Sequence, residues 1–536
     1  VNVAEAVGRN LAAAGVRQVF GVVGSGNFHL TNALVAAGAR FVAARHEGGA
    51  ATMADAYART SGTVSALSVH QGCGLTNAMT GIAEAAKSRT PMVVLAAEAT
   101  EPRSNFSVDQ DALARSVGAV PARVTSAETA VVEAVGAVAT ALRERRTVLL
   151  NVPLSLQALE VPADASAAAP PPARDAVVPG AGEVAALTDL LRRAQRPVFV
   201  AGRGARGSRR TLELLAEQCG ALLATSAVAH GLFHGNPWSL GISGGFASAR
   251  TAELIRAADL IVGWGCALNM WTIRHGQLIG PDTTVVQVDD DASALGAHRE
   301  IHLGITGDVH RTATLAIDAL GEQRVGYRAV DVGSVRWRDV EYDDTSTADR
   351  IDPRTLTIAL DDVLPAERVL AVDSGNFMGY PSAYLDVPDE NGMCFTQAFQ
   401  SIGLGLATAI GAALAQPDRL PVAALGDGGA LMSAAELDTV RRLGLPMLVV
   451  VYNDDAYGAE VHHFGGQPMD TVTFPPTDIA AIGRGYGFEA ATVRTVADLA
   501  AVEDWLGGPR SAPMLVDAKV VADYPSWWLE EAFRGH

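Results

Sequence analysis

The chain has 536 residues, of which 49% are hydrophobic and 6% aromatic, with a formal net charge of −18 at pH 7; the length suggests roughly three domains of about 150 residues each. The acidic balance argues against a nucleic-acid partner, which demands a basic face, and no apolar run reaches the roughly 18 residues of a membrane span. Four scattered cysteines (Cys73, Cys219, Cys266, Cys394) without a Cys-x-x-Cys, and a start without the basic-then-apolar order of a signal peptide, lead us to expect free thiols in the cytoplasm, with no zinc site or disulfide framework.

Residues 1–162 alternate helix-like and strand-like segments, the pattern of a doubly wound parallel sheet. A strand from Gln18 to Val23 ends in Gly24-Ser25-Gly26-Asn27. A second, Arg40 to Ala44, is followed by Arg45-His46-Glu47-Gly48-Gly49 and a helix through Met53 to Arg59. A third, Thr63 to His70, leads into Gln71-Gly72-Cys73-Gly74-Leu75-Thr76-Asn77 and another helix; Pro91 to Ala96 is a fourth. Taken alone, Glu47 reads as a solvated helix cap rather than a functional acid. Residues 163–182, rich in Ala and Pro, form a semi-rigid linker.

The middle domain is expected over 183–325. Its strand Pro197 to Ala201 precedes Gly202-x-Gly204-x-x-Gly207, a dinucleotide fingerprint. The next strand, Ala221 to Thr225, ends in Ser226 with no acid to hold a ribose. Asp289-Asp290-Asp291 reads as a strand-end turn, and 326–350 as a polar surface connection. The third domain is expected over 351–536. There, Val369 to Val372 ends in Asp373-Ser374-Gly375-Asn376-Phe377, and Gln400-Ser401-Ile402-Gly403 precedes an Ala/Gly-rich helix suited to a diphosphate. Pro421 to Leu425 runs into Gly426-Asp427-Gly428-Gly429, a helix is expected from Ser433 to Leu443, and the strand Met447 to Tyr452 ends on Asn453-Asp454-Asp455. Neighbouring parallel strands would thus end in hard oxygen ligands suited to Mg²⁺, beside glycines that let backbone N–H groups approach a phosphate. His462-His463, adjacent rather than at ligand spacing, suit a lid or surface role.

Together, Gly24-Ser25-Gly26, Arg45-His46-Glu47, Gly72-x-Gly74-x-Thr76-Asn77, and Gly426-Asp427-Gly428 followed by Asn453-Asp454 resemble the thiamine diphosphate (ThDP) enzymes, in the branch of acetolactate synthases and 2-oxoacid decarboxylases. The resemblance covers nearly the whole chain. It implies an α/β fold of three doubly wound parallel-sheet domains: pyrimidine-binding, middle and diphosphate-binding. It assigns Mg²⁺ to the side chains of Asp427 and Asp454 and the Ala456 carbonyl; many relatives carry Asn where this chain has Asp454. The cofactor residues it implies are Gly24, Ser25, Gly26, Asn27, Gly72 and Asn77 in the first domain. In the third they are Asn376, Phe377, Gln400, Ser401, Ile402, Gly426, Gly428, Gly429 and Tyr457. Ile402 matches the apolar residue that props ThDP into a bent shape. Glu47 matches the catalytic glutamate that hydrogen-bonds the aminopyrimidine ring, and an apolar setting would raise its pKa. His70, Gln71, Asn105, Phe106 and Gln110 fall in the implied substrate pocket, on a loop that differs from that of the acetolactate synthases. FAD is not expected, because Trp264 to Thr272 lacks the Arg-Phe-Asp-Asp-Arg stretch of the FAD-binding relatives. The implied activity is decarboxylation of a 2-oxo acid with transfer to an aldehyde or ketone acceptor, in a homodimer or homotetramer with shared sites. Simple decarboxylation, acyloin cleavage and a silent ligand-binding protein are the alternatives.

Overall fold

Runs such as Met92–Glu98 and Leu448–Asn453 are aliphatic-rich and buried along their whole length, as strands covered on both faces must be. The computed structural model describes residues 1–532 apart from 170, 173, 322 and 523–525. Pro170 and Ala173 of the expected linker, and residues 533–536 of the expected third domain, lie outside the described residues.

The chain forms three six-stranded, all-parallel sheets, each inside one of the three expected segments. The first holds Gln18–Gly21 (β1), Arg40–Ala43 (β2), Ser65–Val69 (β3), Met92–Glu98 (β4), Val120–Arg123 (β5) and Thr147–Pro153 (β6), in the order β2-β1-β3-β4-β6-β5. The middle sheet holds Pro197–Ala201 (β7), Leu222–Thr225 (β8), Ser239–Ile242 (β9), Leu260–Trp264 (β10), Thr284–Asp289 (β11) and Leu303–Thr306 (β12). Its order is β12-β11-β10-β7-β8-β9. The third holds Arg368–Val372 (β13), Met393–Phe395 (β14), Leu420–Gly426 (β15), Leu448–Asn453 (β16), Glu489–Val493 (β17) and Met514–Lys519 (β18), in the order β14-β13-β15-β16-β18-β17. The first and third sheets therefore share one topology, and each has its switch point between its first and third strands. Open α/β sheets bind ligands at that place.

The first and third domains share one core cluster, running from Phe20 and Leu67 through Met53 to Ile410, Leu425 and Val451. Helix Glu47–Ser61 packs directly on helix Gly405–Ala415. Their small residues allow this approach: a Cβ at Gly411 would lie 2.3 Å from the Met53 carbonyl oxygen.

The helix expected over 433–443 is present as a 3₁₀ turn, Ala434–Glu436, that runs into helix Leu437–Leu443; ahead of it stands a short helix, Asp427–Met432, that begins directly at the acid and ends at Ser433. The connection 326–350 runs over the surface as expected, nearly all of it exposed or half-buried, and is pinned along the way. Trp337 stacks on Trp527 at 4.0 Å and donates to the Phe246 carbonyl at 2.7 Å. Asp289 does end a strand, and Asp290 and Asp291 pair with Arg145 and Arg89, tying the middle domain to the first.

Candidate active site

At the third sheet's switch point lies a cavity of about 160 Å³. Of the expected residues, Asn376, Phe377, Ile402, Gly426, Gly428, Gly429 and Tyr457 line it, with Asp427, Asp454 and Ala456. Gln400 is exposed instead, at a left-handed φ of 61°, and Ser401 donates its hydroxyl to the Ile402 carbonyl. Asp427 and Asp454 line the cavity together, close enough for the charge on one to act on the other. Burial pushes Asp427 up to about 6, and burial with the facing Asp427 carboxylate pushes Asp454 well above the usual carboxylate range. Two such carboxyl groups, one raised by the charge of the other, with Ala456 in the same lining, are a donor set that fits Mg²⁺.

Asn453 does not face the cavity. Its amide donates to Asp517 at 2.8 Å and its oxygen accepts from the Asp455 amide at 3.1 Å. Asp455, at a left-handed φ of 56°, is held by Arg350 at 2.6 Å. Asn453 thus shapes the turn that aims Asp454.

Sequence reasoning missed Asp373. Fully buried at the end of β13, its carboxylate accepts from the Ser374 amide at 2.8 Å, from Gly403 at 3.0 Å and from Leu404 at 3.3 Å. It anchors the backbone next to Ile402. Burial raises it to about 6 despite these donors.

A second cluster occupies the first sheet's switch point. Ser25 Oγ lies 3.4 Å from His70 Nε2, and the His70 ring meets Phe106 edge-on at 5.1 Å. Cys73 Sγ is 4.0 Å from His70 Nδ1. Glu47 begins helix Glu47–Ser61 and accepts from Asn77 Nδ2 at 3.1 Å. The expected apolar enclosure is not observed: Glu47 is half-buried. The backbone ahead of it is fixed from the third domain: Glu436 accepts the amides of Arg45 and His46, each at 3.0 Å. Asn27 is spent inside its own loop, on the Gly24 amide at 2.8 Å and Ser68 at 3.0 Å. Gln110 is buried, accepting from the Gly72 amide at 3.3 Å and donating to Asn151 at 2.6 Å. Gln71 is buried too, while Asn105 and Phe106 are exposed. Every residue lining the cavity lies between 353 and 521, so the Glu47 cluster contributes nothing to it.

In the middle domain the glycine fingerprint has a packing role. The amides of Gly202 and Gly204 bond the carbonyls of Trp264 at 2.9 Å and Gly265 at 3.0 Å. A Cβ at Gly202 would lie 2.3 Å from the Gly265 oxygen. The loop closes on the neighbouring strand end at the switch point.

Comparison with known proteins agrees with this architecture. Residues 1–112 match the N-terminal TPP binding domain of the thiamine pyrophosphate enzymes, 184–316 their central domain, and 373–518 their C-terminal TPP binding domain. A probable 2-ketoarginine decarboxylase from Pseudomonas aeruginosa is 30% identical over 93% of this chain and 90% of its own length. A sulfoacetaldehyde acetyltransferase from Alcaligenes xylosoxydans xylosoxydans is 28% identical over 85% of this chain and 81% of its own. The solved structure of a ThDP-dependent 4-hydroxybenzoylformate decarboxylase from Rhodococcus jostii RHA1 superposes with a TM-score of 0.82, at 23% identity, over 98% of this chain and 100% of that one. With its three sheets and all three domains matched, the chain belongs to the thiamine pyrophosphate enzymes and is a ThDP-dependent enzyme.

Proposed function

We propose that the protein takes a 2-oxo acid, releases CO₂, and transfers the remaining acyl unit to an aldehyde or ketone acceptor, using ThDP and Mg²⁺. The observation that carries this reading is the facing pair Asp427 and Asp454 at adjacent strand ends, above the Gly428 and Gly429 backbone. Asp427, Asp454 and the Ala456 carbonyl would hold Mg²⁺ against a diphosphate. When bound, ThDP supplies the carbon nucleophile and the electron sink for the departing CO₂. Glu47 would exchange a proton with the pyrimidine ring, its Oε2 oriented by Asn77. Ile402 would prop the cofactor, and Phe106 would shield the His70 side from water. The relatives named as a 2-ketoarginine decarboxylase and an acetyltransferase support a 2-oxo acid donor and acyl transfer, respectively. Because no residue of 1–162 lines the cavity, each complete site would take Glu47 from a second copy, in a homodimer or homotetramer.

One observation favours a second reading, simple decarboxylation. The Ser25–His70 pair at 3.4 Å can hold a proton where an acceptor would otherwise sit. The test supplies the protein with ThDP, Mg²⁺ and a panel of 2-oxo acids, with and without aldehydes, and follows CO₂ and products by mass spectrometry. Coupled products that require an acceptor are expected. CO₂ with only the protonated aldehyde product would select the second reading, and no turnover across the panel would oppose both.

A further inference from the structure

We propose that Glu84 is a positioning residue that holds, from the first domain, the loop 396–403 presenting Ile402; the proposal rests on reading that loop as part of the cofactor site. Glu84 lies on helix Cys73–Lys87 and is fully buried. Two of its partners belong to the third domain. Oε1 accepts from Arg59 Nη2 at 2.7 Å and from the Ala398 amide at 3.0 Å, while Oε2 accepts from the Phe399 amide at 2.6 Å. Arg59 completes the grip, donating to the Phe395 carbonyl at 3.0 Å and pairing with Asp55 at 2.9 Å. A buried carboxylate is costly unless paired and hydrogen-bonded, and here both conditions are met by groups that fix the loop. The backbone amides make strong, charge-assisted bonds.

The loop's other end is held by Asp373 through the amides of Gly403 and Leu404. Only residues 400–402 stand free between the two carboxylates. Gln400 takes the left-handed turn there, and Ile402 reaches the cavity. Glu84 belongs to the first domain and Asp373 to the third, so the height of Ile402 over the cavity depends on how the two domains sit together. The middle domain joins the same node: Arg206 donates to the Arg59 carbonyl at 2.8 Å, and Arg203 to that of Ser88.

The test is Glu84→Gln in the full chain. Its amide NH₂ must face either Arg59 or a backbone N–H, donor against donor. Amide hydrogen exchange in the cofactor-free protein should quicken over 396–404 by about tenfold or more, with β15 and β16 unchanged. ThDP affinity measured by calorimetry with Mg²⁺ should stay within about twofold, because the residues read as metal ligands are elsewhere, while C2 hydrogen–deuterium exchange on bound ThDP should slow by about tenfold. Unchanged amide exchange at 396–404 would overturn the proposal. So would a rise spread evenly over all three domains, or a loosened loop with C2 exchange at the wild-type rate. Wild-type protein that binds no ThDP would defeat the cofactor reading and with it the positioning role, while leaving the amide-exchange result to report on the clamp alone. Should Glu84→Gln fail to fold, Glu84→Asp keeps the charge beside Arg59 and withdraws the carboxylate from the two amides by one methylene; the same outcomes decide.

Discussion

Asp373 shows what one buried carboxyl group costs. Its pKa is raised from 3.8 to about 6 by burial, against the pull of its backbone donors. A carboxyl group whose folded value lies above its unfolded value opposes folding once ionised. The cost is absent below the unfolded value, grows through the window between the two, and is fully present above about 6. Asp373→Asn keeps one acceptor and removes the titration. The stability advantage of wild type over this variant, from denaturant unfolding, should therefore shrink by roughly 2 kcal/mol between pH 4 and pH 7. A pH-independent difference would show that Asp373 does not titrate in the fold. The sequence made Asp427 and Asp454 visible because each sits at the end of an apolar run beside glycine or another turn residue. It concealed Glu84 and Glu436. Glu84 and Glu436 find backbone partners more than 300 residues away, and no local pattern announces such pairings.

Among the elements, strands were the most legible, since short apolar runs closed by Gly, Asn or Asp have few other readings. The helix after Asp427 was not, because Gly428-Gly429 reads as a loop while burial against the sheet favours a helical turn. Glycines on helices test how much packing overrides propensity. In Gly411→Ala the added Cβ would meet the Met53 oxygen at 2.3 Å and Ala56 Cβ at 2.9 Å. Overpacking of this kind costs about 1–3 kcal/mol, which outweighs the roughly 1 kcal/mol that alanine gains in a helix. Gly136, in helix Ala130–Glu144, has nothing within 4 Å of that position. Gly136→Ala should therefore stabilise by about 1 kcal/mol. Denaturant unfolding should give the two variants opposite signs; equal signs would mean that the contact between helices Glu47–Ser61 and Gly405–Ala415 is looser than described.

For the whole molecule, the separation of Glu47 from the cavity makes assembly testable. Combine a Glu47→Gln chain with an Asp427→Ala chain, each inactive alone. If two copies share each site about a two-fold axis, one site of the mixed dimer collects both lesions and the other none. The isolated mixed species should then show about half the wild-type activity. A mixed dimer that binds ThDP normally yet stays inactive would mean that each chain builds its own site. The three-domain order was legible from motif spacing, whereas the joints between domains were not: the apolar contact of the first domain with the third looks like ordinary core, and the arginines and carboxylates that tie in the middle domain look like ordinary surface charge. One joint has a mechanical consequence. Helix Glu47–Ser61 carries the candidate base at its first residue and Arg59 near its last, so it is a lever about 20 Å long. A tilt of about 3° pivoting at Arg59 would sweep Glu47 through about 1 Å, a displacement that can cost an active site a hundredfold in rate. Small changes at the Arg59 end would thus be magnified at the chemistry, and turnover would report on a contact that no reacting atom touches.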